Sequence, residues 1–188
     1  MRKINFHLLL KVQKHSYICT MKLTEAKEKF IQAWGTLGSS WGINRTMAQV
    51  HALLLIAPDS LSAEDIMEEL EISRGNANLN IRALIDWGLV SKEFKSGERK
   101  EFFSAEKDIW KVATQVMKER RKRELEPVLK VLAEVGKVEG DKKDKKIKAF
   151  TDSITNIQGV VSKADKTIET LMKADENWFV GSFLKLLK

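Results

Sequence analysis

Arginine and asparagine side chains are concentrated between Ser73 and Arg82, where the sequence reads Ser-Arg-Gly-Asn-Ala-Asn-Leu-Asn-Ile-Arg. Arginine can form two hydrogen bonds with the edge of a guanine, and asparagine can do so with an adenine. No acidic residue lies between Ser73 and Ile85, so the stretch carries no charge that repels phosphate. Its chemistry suits base and phosphate contact, and the candidate DNA-binding residues are Ser73, Arg74, Gly75, Asn76, Asn78 and Arg82.

A plainer interpretation of the same stretch is a solvated polar helix face. Local capping at the helix start explains Asn76, but Asn78 lies too far into the helix for that role. Glutamate and lysine are better helix formers than asparagine, so the cluster of Asn76, Asn78 and Asn80 favours contact with bases. Gly75, in the first turn, lets the backbone approach a phosphate at the helix N-terminus.

The caps and the apolar spacing place this stretch on the second helix of a helix-turn-helix. Ser62, with Asp65 three residues later, forms a capping box that begins the first helix. The connection is very short, Ser73 caps the second helix, and Gly88 ends it. Two short helices joined by so tight a turn are typical of a helix-turn-helix, whose second helix enters the major groove of DNA.

Two β-prone runs, 89–95 and 99–105, follow and flank a turn at Gly97, which predicts a hairpin. A hairpin directly after a helix-turn-helix is a wing, and bases near its turn suit the phosphate backbone or the adjacent minor groove. Neighbouring glutamates leave a second interpretation open, in which the bases only keep the hairpin soluble. The candidate wing residues are Lys95, Arg99 and Lys100.

Long helical patterns flank this core. Apolar residues recur at three- and four-residue steps in 22–41 and 142–173, and 106–135, which begins with Glu106 and Asp108, is predicted to form a further long helix. The apolar seam of the last helix is the heptad pattern of packed helices, and the face beside it is also largely apolar. This width predicts a multi-helix bundle that includes the apolar terminal patch at 177–187. The predicted dimerisation residues are Ile147, Phe150, Ile154, Ile157, Val161, Ile168 and Leu171, with Ala164 among them.

The predicted fold class is mostly α with a small β-hairpin wing, a winged helix-turn-helix with long N- and C-terminal dimerisation helices. We divide the chain into an N-terminal extension (1–20), an N-terminal stem helix (21–44), the winged helix-turn-helix (45–105) and a helical dimerisation region (106–188). The extension carries four bases and no acid. It is either a basic arm or, as we favour, an upstream addition ahead of a true start at Met21.

Composition excludes several classes of protein. The formal net charge is +7, yet residues 45–105 carry seven bases and ten acids, so DNA contact requires those bases to gather on one face. One cysteine, Cys19, and three histidines leave no disulfide and no metal-site spacing. No apolar run is long enough to cross a bilayer, and no catalytic or cofactor motif occurs. We expect a cytoplasmic protein that is not an enzyme and uses no cofactor.

Three further features have both a chemical and a packing interpretation. Trp34 and Trp41 lie on one helix face and are favoured as packing residues over an aromatic cage for a quaternary ammonium. His51 is expected to be a packed or surface histidine rather than a ligand. The basic run at 118–123 is equally suited to touching phosphates and to pairing with nearby acids such as Glu124.

From Trp34 to about Trp110 the sequence resembles the GbsR/MarR family of winged-helix regulators. The matching segments are 42–45, 61–66, 72–78 and, most specifically, 97–108, which looks like the family's wing and the entry to the next helix. The resemblance covers under half of the chain. It implies a dimer that binds operator DNA and represses or tunes nearby genes. Some family members respond to choline-like or other small ligands, but no motif residue marks such a site here.

We therefore predict a sequence-specific regulator that binds double-stranded DNA, a repressor acting as a homodimer on an inverted repeat, with a small-molecule effector as a further candidate partner. The alternative is a winged helix that serves as a protein–protein or scaffold module, since the fold alone does not fix function. Such a module needs no Arg/Asn face and would present an apolar surface to its partner.

Overall fold

The computed structural model describes residues 21–140 and 143–173. Its helices are α1 (Leu23–Ser40), α2 (Arg45–Ile56), α3 (Ala63–Leu70), α4 (Arg74–Asp86), α5 (Ile109–Arg120), α6 (Glu126–Val135) and α7 (Lys145–Lys173), and its strands are β1 (Leu61–Ser62), β2 (Val90–Phe94) and β3 (Glu101–Ala105). The predicted extension at 1–20 and the terminal patch at 177–187 lie outside the described residues.

The core forms where α2, α3 and α4 meet the sheet. Val50, Leu54, Ile66, Ile81 and Leu84 are the largest apolar side chains that are almost completely buried there. Removing so many apolar side chains from water is the main force that holds the three helices together. The predicted helix-turn-helix and its apolar stripes are therefore present.

The start of α3 confirms the predicted capping box. The Ser62 hydroxyl accepts a hydrogen bond from the backbone amide of Asp65, while the Asp65 carboxylate accepts from the backbone amide of Ser62 at 2.8 Å. The hydroxyl and the amide of Ser62 together hold the pKa of Asp65 below its ordinary value. At the other end of α3, Glu71 takes a left-handed backbone conformation with φ of 52°, which makes the tight turn into α4.

The hairpin belongs to a three-stranded antiparallel sheet with the order β1-β3-β2. The hairpin was predicted, whereas β1 was not, since its two residues pair with Phe102 and Phe103 about forty positions along the chain. Gly97 forms the turn with φ of 84°. The sheet fixes the wing to the helix-turn-helix, because β1 runs directly into α3.

The predicted single helix over 106–135 is wrong in one respect. A π-helical turn, Arg121–Leu125, separates α5 from α6. Pro127 explains the break, because a proline ring clashes with the carbonyl group four residues earlier and supplies no amide hydrogen. The wider turn relieves that clash while the helix axis continues. Asp108 caps α5, because its carboxylate accepts a hydrogen bond from the backbone amide of Trp110 at 2.9 Å.

The long terminal helices pack on this core in different ways. α1 lies close against α2, where a Cβ on Gly38 would stand 2.6 Å from the Cβ of Ala48. α7 runs back along α6, the π-helical turn and α5. No residue of α7 is buried, and the side of this helix that faces away from α5 and α6 is exposed to solvent. None of the described helices is long and apolar enough to span a bilayer.

Candidate nucleic-acid interface

α4 is anchored by one face and presents the other outward. Ser73 caps it by accepting a hydrogen bond from the Asn76 amide at 3.3 Å. Ala77, Ile81 and Leu84 are buried, so the rotation of the helix is fixed. The opposite stripe, at helical spacing, consists of Gly75, Asn78, Leu79 and Arg82.

Two predicted residues lie at the start of α4 with partners already in place. Arg74 forms an ion pair with Glu64 of α3 at 3.2 Å, and both side chains are more than half exposed. Such an exposed pair contributes little to stability, so it can open at low cost. Asn76 is half-buried and accepts from the side-chain amide of Asn80 through its side-chain oxygen at 2.7 Å.

Asn80 corrects the sequence interpretation of the asparagine cluster. It is buried and also donates to the Asn76 carbonyl at 2.8 Å, so its role is to fix the first turns of α4. A buried polar side chain is retained where its hydrogen bonds are made, and Asn80 meets that requirement locally. Of the three asparagines, only Asn78 therefore lies on the outward stripe, where it is half-buried.

Arg82 and Gly75 are both exposed on the outward stripe. Arg82 forms no ion pair with any residue in the described part of the chain, and it is exposed. A Cβ added to Gly75 would meet nothing within 4 Å. No neighbour among the described residues therefore explains a glycine at this helix position, where glycine is less favourable than alanine by about 1 kcal/mol.

Sequence reasoning missed Leu79. Its side chain is 69% exposed in the middle of the outward stripe, between Asn78 and Arg82. The helical spacing from Gly75 places Leu79 on this stripe, so the sequence carried the signal that could have identified it. Apolar side chains on such a stripe can contact the methyl group of thymine.

The wing bases are all exposed at the end of the hairpin. The ammonium groups of Lys95 and Lys100 lie 4.1 and 5.6 Å from the centroid of the Phe102 ring, which orients both of them. Lys100 is also 3.8 Å from Glu98, at the outer limit of an ion pair. Arg99 is exposed and pairs with no acid among the described residues.

The run at 118–123 pairs within the protein. Arg121 binds Asp165 of α7 with N–O distances of 2.5 and 3.1 Å, which raises the pKa of the guanidinium further and lowers that of the Asp165 carboxyl. Arg120 binds Glu124 through two hydrogen bonds. Arg123 lies near Glu119 and over the ring of Trp87. These three arginines support the pairing interpretation over phosphate contact.

His51 is a packed histidine, which is one of the two positions, packed or at the surface, expected from the sequence. It is 4% exposed, and its Nε2 has no hydrogen-bond partner in the described residues. Burial, with a smaller contribution from the positive charge of Lys107, lowers the pKa of His51 to about 4. Its ring lies 6.2 Å from that of Trp34, which in turn contacts Phe30. No group of described residues could hold a metal ion.

The architecture is that of a winged helix: α2, α3 and α4 form the helix bundle with its helix-turn-helix, and β2 and β3 form the wing beside it. The chain is similar to the HTH-type transcriptional repressor GbsR of Bacillus subtilis (strain 168), with 26% identity over 104 residues. The predicted resemblance to GbsR-type regulators is thereby confirmed.

The match to GbsR covers 55% of this chain and 57% of that protein, so the chain spans little more than half the length of its curated relative. No family model matches the chain. A solved structure described as a transcriptional regulator shares 20% sequence identity and a TM-score of 0.52, and the match covers 77% of this chain and 99% of that one. This second likeness establishes the fold.

Proposed function

We propose that this protein is a transcriptional repressor that binds double-stranded DNA in a sequence-specific manner as a homodimer. The observation that carries the proposal is the outward stripe of α4, where Gly75, Asn78, Leu79 and Arg82 lie side by side with no acidic residue among them. α4 is then the recognition helix, with Asn78 and Arg82 on base edges and Leu79 on a thymine methyl group.

The wing and the start of α4 provide the backbone contacts in this proposal. Lys95, Arg99 and Lys100 lie beyond the end of the sheet, where exposed cations neutralise phosphates. Ser73 and Gly75 present the N-terminus of α4, whose unpaired amide hydrogens attract a phosphate. Arg74 exchanges Glu64 for that phosphate on binding.

The proposed homodimer uses the open side of α7 and the neighbouring face of α6. Phe150, Ile157 and Val160 are exposed on α7, and Val128 and Val131 are exposed on α6. Apolar side chains exposed to water along two neighbouring helices favour contact with a second copy. Of the predicted seam, Ile147, Ile154, Val161, Ile168 and Leu171 are half-buried.

A test begins with selection of bound sequences from random duplex DNA by the full chain, followed by fluorescence anisotropy. We expect an inverted repeat with half-site centres about one helical turn apart, and an affinity that falls steeply as salt rises. Arg82→Ala and Arg74→Ala should each weaken operator binding by about 1–3 kcal/mol while thermal stability stays nearly constant. Arg120→Ala, whose guanidinium binds Glu124, is the matched control.

The scaffold alternative makes the opposite prediction. If the winged helix only binds another protein, random-duplex selection should enrich no sequence, and Arg82→Ala should bind DNA as weakly as the unaltered chain does. Equal operator affinity of Arg74→Ala, Arg82→Ala and the unaltered chain would show that α4 does not contact bases.

A further inference from the structure

The path from the winged helix to α7 passes through the π-helical turn Arg121–Leu125. The start of α5 belongs to the winged helix, because Val112 is buried in the same apolar core as Ile81 of α4. α7 packs on α5, on the π-helical turn and on α6. The position of α7 relative to α4 therefore depends on how the chain continues from α5 through this turn.

The turn determines how α6 is rotated relative to α5. Its hydrogen bonds join residues five positions apart, one more than in an α-helix. Each residue of an α-helix rotates the chain by about 100°, so a regular α-helix through this segment would rotate α6 by about that angle relative to α5. Because α7 packs on both helices, it could not then keep its present place.

Arg121 holds α7 on one side of the turn. Its guanidinium donates two hydrogen bonds to the Asp165 carboxylate, with N–O distances of 2.5 and 3.1 Å, and the two side chains are only 26% and 14% exposed. Two such bonds from a planar guanidinium fix the orientation of the partner as well as its distance. Every other side-chain hydrogen bond of a described α7 residue stays within that helix. Among the described residues, this pair is therefore the directional link between α7 and the helices beneath it.

Arg123 contacts the end of α4 from the same turn. Side chains two residues apart on a helix do not share a face, so Arg123 points away from the side on which Arg121 binds α7. The Arg123 guanidinium lies 5.2 Å from the centroid of the Trp87 ring, and Trp87 is the residue that caps the end of α4. The buried acid Glu119, 3.4 Å away, keeps the guanidinium in this position. One short turn thus contacts both α4 and α7.

We propose that the π-helical turn is a joint that fixes the angle between the winged helix and α7, with Arg121 and Arg123 as positioning residues, and that it thereby sets the spacing of the two recognition helices. The spacing rests on the proposed function, in which α7 joins two copies on an inverted repeat. Base pairs follow one another about every 3.4 Å, so a joint that let α4 move by that distance would accept two operator spacings equally well. A rigid joint restricts the dimer to one spacing.

The first test measures the angle and needs no DNA. In a Cys19→Ser background, Glu68→Cys on α3 and Thr155→Cys on α7 carry spin labels at two exposed helix positions, and labelled chains are diluted into unlabelled ones. Pulsed electron paramagnetic resonance should give one narrow distance within the chain. Asp165→Asn should widen the distance distribution at least about twofold with an unchanged helical circular dichroism signal, because Arg121 keeps Glu126 at 3.3 Å as a partner.

Lys122→Gln is the matched control. Lys122 is exposed in the same turn and forms no ion pair with a described residue, so this variant removes a positive charge but no contact. Arg121→Gln should widen the distribution as Asp165→Asn does, and the double variant should be no wider than either single variant, because both residues act through one contact. Arg123→Gln should widen it as well. Narrow distances in these variants, or equal widening in Lys122→Gln, would overturn the proposal.

The second test measures the spacing of the recognition helices on DNA. Duplexes carry the selected half-site as inverted repeats whose centres lie about 8 to 13 base pairs apart, and a further duplex carries one half-site. In fluorescence anisotropy, the unaltered chain should bind one spacing at least about tenfold more tightly than the spacings next to it. Asp165→Asn should reduce this ratio to about threefold or less, with the same affinity for the single half-site, whereas Lys122→Gln should keep the ratio.

The two tests separate failure of the joint from failure of the proposed function. If the unaltered chain binds no inverted repeat, the proposed function is contradicted, and the distances alone decide whether the turn fixes the angle. If the distances widen in Asp165→Asn while the preference for one operator spacing stays as sharp as before, the turn does not set the spacing of the recognition helices, and that part of the proposal is overturned.

Discussion

Gly75 is a position where stability and the proposed DNA binding favour different residues. Because a Cβ at this position meets nothing, Gly75→Ala should raise the free energy of unfolding by about 0.5–1 kcal/mol through its higher helix propensity. The same methyl group would stand between the α4 backbone and a phosphate, so operator affinity should fall. Urea denaturation and fluorescence anisotropy measure the two effects, and a variant that is more stable and binds normally would remove Gly75 from the interface.

His51 makes a prediction about pH. Its folded pKa of about 4 lies below the value of 6.5 for a free histidine, so the unfolded chain binds more protons between these values. Stability is therefore fully present above pH 6.5 and declines as the pH falls to 4, by about 3 kcal/mol from this residue. His51→Leu lacks this contribution, so its stability relative to the unaltered chain should rise by that amount between pH 7 and pH 4. Parallel pH curves from urea denaturation would contradict the burial of a neutral ring.

Lys107 joins the end of the wing to the end of α2. Its ammonium donates hydrogen bonds to the carbonyl oxygens of Leu54, Leu55 and Ala57 at 2.8, 2.9 and 2.7 Å, and burial lowers its pKa. Such a cation satisfies carbonyls that a helix end leaves unpaired and interacts favourably with the helix dipole.

Lys107→Met keeps the aliphatic stem but leaves those oxygens without the donor. We expect a loss of about 2–4 kcal/mol in the free energy of unfolding, seen as a melting temperature lower by roughly 5–10 °C. Lys111→Met is the control, since its ammonium lies 3.8 Å from two exposed acids and should matter by less than about 0.5 kcal/mol. Similar melting temperatures for the two variants would show that the wing is held by the sheet alone.

The sequence predicts the helices and turns that depend on neighbouring residues, whereas features that depend on long-range packing became visible only in the structure. The capping box at Ser62, the cap at Ser73 and the turn at Gly97 each act within a few residues, so the sequence predicts them. Strand β1 depends on a partner at Phe103, and the π-helical turn depends on how the chain relieves the clash at Pro127. The burial of Asn80 could not be predicted, because an asparagine in a polar stretch is expected to face water and its hydrogen bonds to Asn76 appear only in the structure.

The apolar seam of α7 is partly packed on its own chain and partly exposed. Ile147, Ile154 and Val161 are half-buried on the side where Asp165 binds Arg121 of the π-helical turn. Phe150 and Ile157, predicted members of the same seam, remain 42% and 49% exposed. Because α7 packs only part of its apolar face against its own chain, the exposed part is available to contact a second copy.

Phe150→Glu together with Ile157→Glu should therefore convert the dimer to a folded monomer. Both side chains are already in partial contact with water, so the glutamates cost the isolated chain little, whereas at an interface between two copies they would bury four unpaired charges. Light scattering coupled to size-exclusion chromatography should report the mass of one chain, with unchanged helical circular dichroism. Operator affinity should fall greatly, because one chain then presents a single recognition helix to the inverted repeat. Lys148→Glu with Thr155→Glu, on the opposite side of α7, should leave the dimer intact, and a dimer that also survives the changes at 150 and 157 would show that the two copies meet elsewhere.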